Sequence, residues 1–186
     1  MNVVGLLGLQ GAFLDHIPHL ERCGAPYRIV RDDEALAAID RLIIPGGEST
    51  VMTKFLEEFG MLKRLGGRIR SGMPVWGVCA GSILLAEEVD GSAGTLAALP
   101  IAVTRNAYGR QIASDIQSID IPTLKLVHYP AVFIRAPRID RIGPDVTIHA
   151  RRGLDPVFVQ KDRIMATTFH PELNRDDLFH DYFLKL

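Results

Sequence analysis

Two short stretches carry side chains suited to covalent chemistry. The first, Gly77-Val78-Cys79-Ala80-Gly81, ends the apolar run Val75-Trp76 and leads into Ser82-Ile83-Leu84-Leu85-Ala86. It is the cysteine form of the G-x-S-x-G elbow, where a strand meets a helix through a turn too sharp for bulky neighbours. Such a turn lifts the side chain above the sheet edge. The free N–H groups of the helix start favour a thiolate, the nucleophilic form. The bland alternative for Cys79 is a small buried hydrophobe between two helix-packing glycines. The second stretch is His170-Pro171-Glu172. A histidine at a strand end, with a carboxylate two residues on, can be a base whose ring the carboxylate orients. In isolation the triplet also reads as a surface turn. Together the two stretches supply the nucleophile, base and orienter of acyl transfer.

A third stretch, Pro45-Gly46-Gly47-Glu48-Ser49-Thr50, follows the apolar run Leu42-Ile43-Ile44. Open α/β sheets bind ligands at the carboxyl ends of their strands. Two glycines let the main chain approach a ligand closely, although the pair alone fits a plain strand-to-helix turn. No lysine completes a phosphate-binding P-loop, and glycines 5, 8 and 11 miss the G-x-G-x-x-G spacing of a dinucleotide site. His16 and His19 share a helix face but lack a third zinc ligand. Together with His128, His149 and His180 they read as structural or surface residues.

These stretches need a sheet to hold them. Residues 3–9 form a continuous apolar run, as in a strand buried on both faces of a parallel sheet. A helical stretch opens at Gly11 and runs through Leu14, Ile17, Leu20 and Cys23 to a stop at Gly24. Tyr27-Arg28-Ile29-Val30 is the next strand, and Asp32 or Asp33 caps a short helix from Glu34 to Ile39. Ser49 or Thr50 caps a helix running to Phe59, and another spans Met61 to Ile69. This alternation predicts βαβ units, a parallel sheet and helices on both faces. Beyond the elbow, 90–94 reads as a loop. Runs at 101–103, 116–121, 131–134 and 146–148 lack helices between them and predict antiparallel strands extending or flanking the sheet. Asp155 to Thr167 reads as a hairpin turning near Lys161-Asp162, and a last helix covers Arg175 to Leu184. The expected fold is α/β, flavodoxin-like and three-layered.

At 186 residues the chain suits a single domain. Its formal net charge of −1, from 21 basic and 22 acidic residues, gives no footprint for nucleic acid or a membrane surface. No apolar run approaches the about 20 residues of a membrane-spanning helix. The apolar N-terminus lacks a basic lead and reads as a strand, not a signal peptide. With only Cys23 and Cys79, a reducing cytoplasm is expected and a disulfide framework is not.

The chain resembles, essentially end to end, a class I (triad-type) glutamine amidotransferase domain. More narrowly it is similar to the glutaminase subunits of pyridoxal 5'-phosphate synthases. The residues that carry this are Gly8-Leu9-Gln10-Gly11, Leu42 to Thr50, Gly77 to Gly81, Arg105-Asn106-Ala107-Tyr108-Gly109-Arg110-Gln111, Val132-Phe133-Ile134-Arg135-Ala136-Pro137 and Phe169-His170-Pro171-Glu172-Leu173. The resemblance implies that Cys79 is the nucleophile, His170 the general acid/base and Glu172 its orienter. It implies that Gly46, Gly47, Glu48, Arg105, Ile134 and Arg135 bind L-glutamine. The N–H groups of Gly47 and Ala80 are the natural oxyanion donors. No metal or cofactor is implied. The implied partner is a synthase subunit of (β/α)8-barrel type in a large hetero-oligomer. Two alternatives stay open: the same domain serving another synthase, and a redox-sensing relative whose elbow cysteine is oxidised. Val78 stands where the family usually has threonine and Ser82 where an apolar residue is common, and 95–100 also departs. These positions bear on rate or local packing.

Overall fold

A computed structural model describes residues 2–108 and 114–186. The first half runs β1 (Val4–Leu7), α1 (Ile17–Arg22), β2 (Tyr27–Val30), α2 (Asp33–Ala37), β3 (Arg41–Ile44), α3 (Ser49–Glu58), α4 (Met61–Arg70), β4 (Val75–Val78) and α5 (Ala80–Leu85). Strands then dominate: β5 (Ala86–Val89), β6 (Ser92–Ala93), β7 (Leu99–Thr104), β8 (Ser114–Ile121), β9 (Leu126–Ile134) and β10 (Arg138–Ile142). After β11 (Thr147–Arg152), β12 (Asp155–Lys161) and β13 (Ile164–Thr167), the chain closes with α6 (Leu178–Leu184).

The central sheet has the order β11-β12-β13-β4-β3-β1-β2. Strands β2, β1, β3, β4 and β13 are parallel, and the β11–β12 pair is antiparallel at one edge. Alternation along each strand divides the apolar residues between two cores. Leu7, Leu42, Ile44, Val75 and Ala166 pack with Leu36, Met52, Leu56, Leu65 and Leu84 of helices α2–α5. Val4, Leu6, Ile43, Trp76 and Met165 pack with Leu20 of α1, Phe179 and Phe183 of α6, and Phe133 of β9. The result is the expected three-layer, flavodoxin-like α/β arrangement with helices on both faces. Among the described residues no helix is long and apolar enough to cross a membrane.

Several elements differ from the sequence reading. The stretch from Gly11 is a 3-10 turn, Phe13–His16, followed by α1, because Pro18 in the first turn of α1 has no N–H to continue the ladder. Leu14 is 58% exposed instead of facing the core. The cap of α3 is Glu48, whose carboxylate accepts from Thr50 N (3.4 Å), and not Ser49 or Thr50. Asp32, and not Asp33, caps α2, accepting from Ala35 N at 2.8 Å. The last helix starts at Leu178, three residues late. Asp176 caps the Leu178 N–H and Asp177 is drawn off to His19 and Arg22. Residues 90–94 include a hairpin turn, with Asp90 (φ 50°) and Gly91 (φ 77°) as its central pair between β5 and β6. The second-half strands both extend and flank the central sheet: β10-β7-β5-β6 form a separate sheet and β8–β9 a two-stranded ribbon. Within the former, β5 and β7 run parallel. The 155–167 hairpin forms as expected, β12 pairing with β13.

Candidate active site

Three parallel neighbours, β3, β4 and β13, end side by side, with Ile44 paired to Gly77 and Val78 to Thr167. Each delivers one wall of a single cleft. Gly46 and Gly47 follow β3, Cys79 follows β4, and His170 comes three residues after β13. This is the carboxyl edge of the sheet, where ligands bind in open α/β folds.

Cys79 sits at φ 48°, ψ −100°, a conformation that costs a non-glycine residue about 1–3 kcal/mol. The surroundings hold it there. Its N–H donates to Thr167 O (2.8 Å), and its carbonyl accepts from Ser82 N (3.0 Å) and Ser82 Oγ (2.6 Å). Ser82 therefore clamps the elbow. Close approach demands the flanking glycines: a Cβ on Gly81 would strike the main-chain oxygen of Ile44, and one on Gly77 would meet Gly81 at 2.6 Å. Cys79 is 6% exposed, and its Sγ lies 3.8 Å from Ile134 O. Helix α5 has only six residues, so the N–H groups of its first turn matter more than any macrodipole.

His170 Nδ1 lies 2.7 Å from Glu172 Oε1. The carboxylate accepts, so Nδ1 carries a proton and Nε2 is left for the cleft. Burial alone disfavours the charged ring, but the neighbouring Cys79, the hydrogen bond to Glu172 and the charge of that carboxylate outweigh it and raise the proton affinity of His170. Burial likewise opposes ionisation of Glu172. The bond to His170 and the proximity of His16 overcome it and hold the carboxyl below its ordinary range. The Glu172 side chain is fully buried behind the ring.

The cleft has a volume of about 230 Å³, below the span typical of drug-sized ligands and suited to a small one. Its lining includes Gly46, Gly47, Glu48, Cys79, Ala80, Arg105, Ile134, Arg135 and His170. Every sequence-derived site residue is thus on the cleft except Glu172, which stands one bond behind it. Arg105 is held over the opening by Asp90. The carboxylate accepts from Arg105 N (2.9 Å) and Nε (2.6 Å), while Nη1 donates to Thr50 Oγ1 (3.1 Å). Glu48 N donates to Gln10 Oε1 at 2.8 Å.

Sequence reading missed Ala12, Ser49, Ile83 and Asn106 as lining residues, and Asp90 as the anchor of Arg105. Asn106 had a signal, since it lies within the Arg-Asn string and adopts φ 51°, which asparagine tolerates. The Gly109-Arg110-Gln111 end of that string lies outside the described residues. Among the described residues, no group of three or more His, Cys, Asp or Glu side chains is placed to hold a metal ion.

Fold and cleft together define an α/β protein of the glutamine amidotransferase class. The chain belongs to the SNO glutamine amidotransferase family, whose model matches residues 6–186. It is 45% identical over 187 residues to the pyridoxal 5'-phosphate synthase subunit PdxT of Dehalococcoides mccartyi, covering 98% of this chain and 96% of that relative. PdxT of Thermotoga maritima is 45% identical over 184 residues, with 98% of each chain covered. A crystal structure of a glutamine amidotransferase, 40% identical, superposes with a TM-score of 0.92 over 99% of this chain and 98% of that one.

Proposed function

We propose that this chain acts as one domain that hydrolyses L-glutamine to L-glutamate and ammonia, and that the ammonia supplies a synthase partner making pyridoxal 5'-phosphate. The observation that carries this reading is the opening of Cys79 and His170 onto one small cleft, with Glu172 hydrogen-bonded behind the ring. It is supported by relatives that are subunits of pyridoxal 5'-phosphate synthase.

In this mechanism the Cys79 thiolate attacks the side-chain carboxamide of glutamine. The N–H groups of Gly47 and Ala80 receive the oxyanion, where one such donor is worth about 3–4 kcal/mol. His170, charged at rest, protonates the departing ammonia and leaves a glutamyl thioester. As a neutral base it then takes a proton from water, and the attack on the thioester releases glutamate and the thiolate. Glu172 keeps the ring in register throughout. Arg105 and Arg135 hold the α-carboxylate by charge-assisted bonds, and Gly46, Glu48 and Ile134 shape the rest of the pocket.

A glutaminase that ran alone would waste its substrate, so activity depends on docking to the synthase. That partner is a (β/α)8-barrel subunit in a large hetero-oligomer, and the pair works in the cytoplasm. The test is ammonia release from glutamine with and without the partner, for the parent chain and Cys79→Ala. Release that needs the partner and disappears with Cys79→Ala is expected. Undiminished release from Cys79→Ala would overturn the assignment.

A further inference from the structure

Three histidines that sequence reading left as structural form one buried cluster behind Glu172. His16 and His19 come from the turn before α1 and from α1 itself, and His180 comes from α6. His16 Nδ1 lies 2.9 Å from His180 Nε2. The His180 ring stacks on that of His19, with centroids 4.3 Å apart and planes within 1°. It also meets the edge of Trp76 at 5.0 Å, and Trp76 lies on β4 three residues before Cys79. His19 Nε2 donates to the main-chain carbonyl of Glu172 (3.0 Å), and its Nδ1 faces Asp177 Oδ1 (2.7 Å), which Arg22 grips through Nε and Nη2.

Among the buried polar atoms that lack a partner in the described residues, two belong to groups that face each other across this cluster. One is Glu172 Oε2, the carboxylate oxygen that His170 does not use; the other is His16 Nε2. A buried carboxylate oxygen without a donor is costly. The turns that carry the two groups, Phe13–His16 and Pro171–Leu173, pack against each other, and the charge of Glu172 favours the protonated form of His16 against its burial. The tautomer follows from the same chemistry. Burial keeps both His16 and His180 neutral, so one proton lies between His16 Nδ1 and His180 Nε2. If His16 donated it, a bare Nε2 lone pair would be left beside an anion. If His180 donates, His16 carries its proton on Nε2, the form that the carboxylate selects.

We propose that His16, with its tautomer fixed by His180, is a positioning residue for Glu172, giving an Nε2–H to the carboxylate while His19 holds the same residue's main chain. The cluster thereby fixes the group that orients His170. It acts through Glu172 and touches no substrate. The proposal rests on the triad reading given above.

The test has two arms. In the full-length chain, nitrogen-15 NMR of the histidine rings reads the tautomer directly: a protonated Nε2 and a bare Nδ1 on His16 are expected, and the reverse overturns the proposal. This arm needs neither a variant nor turnover, so it stands apart from any failure of the triad reading, which Cys79→Ala reports. In the second arm, ammonia release is measured with the synthase partner for His16→Gln, which keeps a donor at the ε position, and His16→Asn, which moves it to the δ position. His16→Asn should lose about tenfold or more in kcat with KM unchanged, part of the ~10²–10⁴ that a positioned acid–base group supplies. His16→Gln should restore most of that loss. Equal rates for the two variants, whether both reduced or both at the parent level, overturn the proposal.

Discussion

Glu172 Oε1 and His170 Nδ1 lie 2.7 Å apart although only one residue, Pro171, separates them in the chain. The short 3-10 turn Pro171–Leu173 folds the carboxylate back beneath the imidazole, and burial of the Glu172 side chain shields the pair from water. A hydrogen bond to a charged group in such a setting is stronger than one at the surface. Glu172→Gln keeps the shape but removes the charge that raises the proton affinity of His170. We expect kcat for ammonia release with the synthase partner to fall by about 10²–10⁴ and KM to move little. An unchanged kcat would show that the carboxylate only packs.

The buried histidines predict acid lability. Burial, opposed by Glu172 and aided by His19 and His170, lowers His16 to about 4. Burial, with the charges of His16, His19 and Arg22, lowers His180 further. In the unfolded chain both rings take up protons near pH 6.5, so below that pH the unfolded state binds more protons and stability falls. The loss reaches about 2.7 kcal/mol per pH unit where both native rings stay neutral. His170 works in another window: its raised folded value adds stability that is complete below about pH 6.5 and is lost as pH climbs toward the folded value. Urea midpoints measured from pH 7 to 5 should drop steeply, and His180→Phe should flatten the slope by roughly half. A pH-independent midpoint in the parent would contradict this.

How much the sequence announced depended on how local the cause was. Strands β1, β3 and β4 were evident because burial on both faces leaves an unbroken apolar run, and their carboxyl ends named Gly46, Gly47 and Cys79 in advance. His170 and Glu172 lie on one turn, so their partnership could be read from spacing. What escaped was set by distant partners. Asp90 and Arg105 meet only because the β5–β6 turn folds back beside the end of β7. His16 and His180 are 164 residues apart, and no periodicity links them. The parallel pairing of β5 with β7 is also invisible to alternation, which reports a buried face but not which strand lies alongside. The start of α1 was misjudged for a local reason, the missing N–H of Pro18.

Asp90 accepts from both the main chain and the guanidinium of Arg105, and the bond to Arg105 N, then that to its side chain, holds the Asp90 carboxyl below its ordinary range. Arg105 lies on the cleft, and on the proposed reading it binds substrate instead of reacting. Asp90→Ala frees the guanidinium to sample other rotamers, so its ordering falls to the binding step. KM for glutamine should rise by about threefold to tenfold, corresponding to the ~0.5–1.5 kcal/mol of one immobilised side chain, with kcat nearly unchanged. Glutamine titrations at saturating partner separate the two constants, and a fall in kcat alone would place Asp90 elsewhere in the cycle.

Gly46 and Gly81 offer a final contrast, because what a Cβ would strike decides the outcome. On Gly81 it meets the carbonyl of Ile44, main chain inside the central sheet that cannot yield without breaking the elbow packing. On Gly46 it meets Cε1 of His170, the tip of a side chain that can turn aside. Gly81→Ala should therefore lower stability by several kcal/mol, in the range of severe strain in a packed site, and activity should be lost with the fold. Gly46→Ala should fold with a melting temperature close to the parent's yet lose ammonia release by 10²-fold or more, since the ring is pushed off the line between Cys79 and Glu172. Thermal melts alongside glutaminase assays distinguish the cases. A Gly46→Ala chain that melts normally and turns over at the parent rate would mean that His170 does not need the position in which the cleft holds it.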